Sequence, residues 1–165
     1  MRFPIVSLAA LAMLAAGPAA AQSVRVLGEH NAWSAYATTE TEGRICFVLS
    51  RPTQTTPAQG GGDAYFYITH RPAQAIRSEI NLVAGYQFAA GSVARLTVGA
   101  RSFDLYTEGD AAWLADPTQA DAAVAAIRGG STMVVEGTAL SGETVRQTFS
   151  LAGATAATGA IDGAC

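Results

Sequence analysis

The 165-residue chain contains no lysine, only two cysteines and two histidines, and 14% charged residues. Its ten basic residues are therefore all arginines. They stand singly among thirteen acids for a net charge of -3, so there is no basic stripe to neutralise phosphates, and no nucleic-acid partner is expected. The two histidines are isolated, and no Cys-x-x-Cys, His-x-x-x-His or acidic calcium loop occurs. No metal and no cofactor are expected on that basis. Gly60-Gly61-Gly62 leads into a strand-like run and lacks a following Lys-Ser/Thr, which excludes a phosphate loop. Beyond the first twenty residues no apolar run approaches the roughly twenty residues a bilayer requires. The length accommodates one domain.

The apolar half of the composition and the mean hydropathy of +0.23 come partly from the N-terminus. Met1-Arg2 is a short positive segment, Phe3 to Ala16 is apolar, Gly17-Pro18 breaks the run, and Ala19-Ala20-Ala21 offers small residues to a signal peptidase. The reading is a signal peptide over residues 1–21, cleaved between Ala21 and Gln22, with a single domain over 22–165. No cysteine follows the cleavage position, so a lipid anchor is not indicated. The expected location is the periplasm or the exterior.

Export gives the cysteines a meaning. In an oxidising compartment an even number usually pairs, and Cys46 with Cys165 is the single possible bridge. A catalytic thiol or a metal ligand is the alternative for each. Neither fits the isolated histidines.

The chain beyond Gln22 reads as a series of strands: Val24 to Leu27, Trp33 to Thr38, Arg44 to Arg51, Ala64 to Arg71, Ile76 to Leu82, Leu96 to Val98, Phe103 to Leu105, Thr132 to Leu140 and Glu143 to Leu151. Aromatic and β-branched residues alternate with polar ones along them. Gly99-Ala100 and Ser141-Gly142 sit where hairpin turns need positive φ. The fold expected is mainly β, an antiparallel β-sandwich or barrel-like domain. One short helix is expected near 117–128, with Asp116 as its cap, Pro117 at its first position, Gln119 completing a capping box and Gly129 at its end. Arg51 to Asp63 reads as a polar loop.

Catalytic arrangements are weakly supported. A base would have to be His30 or His70, and neither lies near a Gly-x-Ser-x-Gly elbow. His70 reads as an edge residue at a strand end. Glu108 and Asp110 flank a turn glycine and have no identifiable carboxylate partner. No catalytic residue is assigned, and the chain reads as a non-enzyme.

A family resemblance rests on Trp33, Ile45-Cys46 with Ser50-Arg51-Pro52, Gly109 to Leu114, Arg128-Gly129-Gly130-Ser131, and Gln147 to Gly153. In that order they resemble the invasion-associated locus B family of exported bacterial proteins. The resemblance implies a compact β domain of the bacterial envelope, acting by binding or in contact with host cells. An envelope or host protein is the expected partner. A small periplasmic inhibitor or ligand-binding β-barrel is the alternative, and a hydrolase is less favoured. Among the shared residues, Trp33 and Trp113 read as buried anchors. Arg128 reads as a complement to the helix dipole or a bidentate grip on a carboxylate, and Phe149 as an inward strand residue.

Overall fold

Alternation of buried and half-exposed side chains organises the strands of the computed structural model, which describes residues 23–58 and 62–165. The expected signal segment, with the Ala21–Gln22 position, lies outside the described residues, as do Gln59 to Gly61. In Trp33–Glu40, for example, Trp33, Ala35 and Ala37 turn inward while Ser34, Tyr36 and Thr38 turn out, the two-residue period of a strand with one covered face. Eleven strands result: β1 (Arg25–His30), β2 (Trp33–Glu40), β3 (Gly43–Ser50), β4 (Gln54–Thr56), β5 (Tyr65–Arg71), β6 (Ile76–Val83), β7 (Val93–Val98), β8 (Arg101–Glu108), β9 (Ala111–Leu114), β10 (Thr132–Thr138) and β11 (Thr144–Ser150). They form one antiparallel sheet in the order β1-β2-β3-β5-β6-β9-β8-β7-β10-β11-β4. The end strands β1 and β4 do not pair with each other, so the sheet is not a closed barrel. Its two ends fold over one another in a sandwich-like arrangement.

That closure is visible in the core. The indole Nε1 of Trp33 on β2 donates to the carbonyl of Ser150 on β11 at 2.9 Å, and the Trp33 ring meets Phe66 edge-on at 6.1 Å. Phe66 in turn lies 5.8 Å from Phe149, and all three side chains are fully buried. Trp33 and Phe149 thus occupy the interior positions expected of them, and such ring pairs contribute beyond their buried area.

Several elements differ from expectation. Three residues of the polar loop form β4, because Thr55 and its neighbours find the open edge of β11, with Gln147 opposite Thr55. Ala111 to Leu114 is a strand, pairing with β6 and β8. The expected helix begins as one 3-10 turn over Pro117–Gln119, and α1 runs over Ala120–Gly129. Asp116 does accept from the Thr118 amide, but the Gln119 side chain bonds the Asp116 carboxylate, so the capping box is not formed.

A second helix, α2 (Ala154–Ala164), ends the chain. Its Ala154, Ala157, Thr158 and Ile161 are buried, the i, i+3, i+4, i+7 stripe of an amphipathic helix. It enters through Gly153, whose φ is +93° and whose missing Cβ would stand 1.8 Å from the carbonyl oxygen of His30. Only glycine fits there. Among the described residues no helix is long and apolar enough to cross a membrane.

Candidate functional site

Two regions concentrate chemistry. The first joins α2 to the sheet. Asp162 on α2 accepts from three side chains: His70 on β5 at 3.0 Å, Arg77 on β6 at 2.8 Å and Arg128 on α1 at 2.6 Å. Arg128 also donates from Nε to the Thr158 hydroxyl at 2.8 Å. One turn further, Cys165 is bonded to Cys46 on β3, and Arg44 donates to the carbonyl of Ala164 at 3.0 Å. Burial pushes the Asp162 carboxyl up, but the hydrogen bonds from His70 and Arg128 and the charges of Arg128 and Arg77 outweigh it. The carboxyl is held below its ordinary value.

His70 has a fixed tautomer. The Ser78 backbone N–H donates to Nδ1 at 3.0 Å, so the proton sits on Nε2 and is donated to Asp162. The local backbone is bent to make this possible, with a register shift between Thr69 and Arg71 and Ser78 at φ +62°. His70 is buried rather than an edge residue, because this bent strand end turns its ring beneath α2. Both ring nitrogens are engaged, and Ser78 contributes its amide where a catalytic triad would need a hydroxyl. The arrangement holds a helix in place. Arg128 grips a carboxylate through one nitrogen rather than in the bidentate fashion expected, because its Nε is taken by the Thr158 hydroxyl.

The second region is the outer face of the sheet. Register places Ser34, Leu49, Tyr67, Asn81, Trp113, Tyr106 and Val93 directly opposite one another from β2 through β3, β5, β6, β9 and β8 to β7. Tyr106 and Trp113 stack at 5.4 Å. Beside this row Tyr36 stacks on Phe47 at 5.2 Å, Tyr65 lies 6.1 Å from Tyr67, and the Arg51 guanidinium covers Tyr65 at 4.7 Å. Half of the aromatic side chains in the described residues thus stand on the outer face, each half-buried or exposed. Trp113 is among them. It is not the core anchor expected, because the register of β9 turns Ala112 and Leu114 inward instead.

The face offers polar atoms as well as rings. Burial, aided by the nearby Tyr65 phenol and opposed by Arg51, raises the Tyr67 pKa, keeping its hydroxyl protonated as donor and acceptor. A groove of about 260 Å³ opens below Trp113 and Tyr106, where β6 and β9 part, lined by Ile76, Arg77, Leu114 and Pro117 among others. Ile76, Glu79 and Ile80 of β6 pair with β5, but residues 76–80 have no partner on β9, whose pairing begins at Asn81. The sequence does contain the alternation that places Tyr65 with Tyr67 and Phe47 with Leu49 on one side. It does not contain the strand order that aligns β5, β6 and β9.

The features together define a disulfide-closed antiparallel β-sandwich domain whose ionisable cluster secures its last helix and whose aromatic face is open. The chain belongs to the Invasion associated locus B (IalB) protein family, whose model matches residues 33–162. In fold it is similar to the crystal structure of invasion associated protein B from Bartonella henselae, with a TM-score of 0.61 at 14% identity over 83% of this chain and 96% of that one. No curated protein matches the sequence.

Proposed function

We propose that the protein is an exported, non-enzymatic envelope component that acts by binding, within the envelope or at a host surface, through the outer face of its sheet. The aromatic row from Leu49 to Tyr106 supports this reading. Large apolar rings gathered on an exposed face are informative where single exposed residues are not, and tyrosine and tryptophan suit contacts that are apolar at the ring and wet at the tip. The ionisable cluster is occupied in holding α2, and Trp33, Phe66 and Phe149 fill the space between the ends of the sheet. This favours surface binding over a ligand held inside a barrel. The signal-like N-terminal sequence, the Cys46–Cys165 bridge and the family support the reading of export.

Co-sedimentation of the mature protein with isolated bacterial envelopes and with host-cell membranes tests the proposal. Wild type is expected to sediment with at least one of them, and a folded Tyr67→Ala/Trp113→Ala variant to remain in the supernatant. Equal sedimentation of both proteins would remove the outer face from consideration. Mass spectrometry of the exported chain is expected to find Gln22 at its N-terminus.

A further inference from the structure

We infer that the cavity lined by β4, β11 and the segments that enter β5 and leave β6 binds a small uncharged carboxamide through Gln147 and Thr55. It is a second site, on the inner side of the sheet. Gln147 alternates along β11 with Val145 and Phe149, and all three are buried. Its Nε2 donates to the carbonyl of Ala84 at 2.8 Å, which fixes the orientation of the side-chain amide. The other end of that amide, Oε1, is buried and meets no donor. A buried acceptor without a partner costs free energy, and with Gln147 only 2% exposed bulk water does not relieve it. The cavity that Gln147 lines, about 300 Å³, is where a donor has room.

The neighbouring groups select the ligand class. Thr55 of β4 lies directly opposite Gln147 and lines the same cavity, and its hydroxyl bonds none of the described residues. A free acceptor beside a free hydroxyl matches one carboxamide, whose N–H donates to Oε1 while its carbonyl accepts from the hydroxyl. An ion is disfavoured at the same place. The charged residues lining the cavity, Arg51 and Asp63, have exposed side chains that pair with each other at 3.4 Å and share the Tyr65 hydroxyl. An ammonium or carboxylate beside Gln147 would therefore exchange its hydration for one neutral oxygen and one hydroxyl. The volume stands at the small end of ligand pockets, and Pro52, Ala64 and Ala84 in the wall suit a short alkyl stem.

NMR titration of the mature, disulfide-intact protein with isobutyramide tests this. Saturable shifts are expected at the Gln147 side-chain amide and at the backbone amides of Thr55 and Ala84. Methyl isopropyl ketone keeps the shape and the carbonyl but lacks the N–H, and isobutyrate replaces it with a charge. Each is expected to bind at least about fivefold more weakly, the loss of one hydrogen bond. Gln147→Leu is expected to abolish the response at Thr55 and Ala84, and Thr55→Val to weaken binding about twofold or more. Leu140→Ser, at an exposed position outside the cavity, changes nothing. Melting temperatures identify any variant that fails to fold, and the ligand series on the wild-type protein then carries the test. An ordered water at Oε1 with no saturable response to isobutyramide overturns the inference, as does equal binding of the amide and the ketone. Isobutanol binding as tightly as isobutyramide would show that any donor suffices, and the carboxamide class falls.

Discussion

Arg128 and Asp162 meet at 2.6 Å across the junction of the two helices, and the same carboxylate also receives His70 and Arg77. One side chain near the C-terminus therefore ties α2 to α1, β5 and β6. Hydrogen bonds to charged groups contribute about 1.5–3 kcal/mol each, and 30% exposure of Asp162 moves the value toward the lower end. Asp162→Ala is expected to lower unfolding free energy by about 1.5–3 kcal/mol, measured by urea denaturation. Arg128→Ala is expected to cost less, since His70 and Arg77 remain on the carboxylate.

The same carboxylate sets a pH dependence. Its folded value lies below the ordinary 3.8, so its contribution is fully present above that ordinary value and is lost as pH falls through the lowered folded value. The stability difference between wild type and Asp162→Asn is expected to be constant from about pH 7 to 5 and to shrink below about pH 4. Urea titrations at several pH values check this. A difference that grows on acidification would contradict it.

The Cys46–Cys165 bridge has a sequence separation of 119 residues. Closing a loop of that size restricts the unfolded chain by about 4–5 kcal/mol in the chain-entropy model. Cys46→Ser/Cys165→Ser is expected to lose stability of that order, less any strain the bridge introduces. Alkylation followed by intact-mass measurement should detect two free thiols only after reduction.

Trp33 and Trp113 are expected to behave as opposites. Trp33→Ala empties a fully buried position and is expected to cost about 3–5 kcal/mol. Trp113→Ala removes a half-buried outer-face ring and is expected to cost about 1 kcal/mol, near the centre of the range for point substitutions. In single-tryptophan variants made with phenylalanine, Trp33 should emit at shorter wavelength and resist acrylamide quenching, and Trp113 should be quenched readily.

Much of the strand framework was legible because alternation is a local signal. Phe149, Trp33 and the Gly99-Ala100 hairpin, with Gly99 at φ +57° between paired Val98 and Arg101, all stand where patterning put them. The helix α2 was not anticipated, although Ala154, Ala157, Thr158 and Ile161 have helical spacing. Gly159 and Gly163 interrupt the run, and glycine lowers helix propensity. Its stability comes instead from contacts with distant residues, the bridge to Cys46 and the bonds to Asp162. His70 illustrates the same limit, since its partners lie eight and ninety-two residues away. Trp113 is expected inward because a large ring favours burial, but the register of a four-residue strand decides the side. The aromatic row needs a strand order that no local signal carries.

Amide chemical-shift mapping of the isotopically labelled mature protein, titrated with solubilised envelope fragments, tests most directly whether this outer face is the functional surface. The account predicts that the largest shifts fall on Tyr67, Asn81, Trp113 and their strand neighbours, with α1 and α2 unmoved. Shifts concentrated around Asp162, His70 and the helices, with the row unchanged, would contradict it.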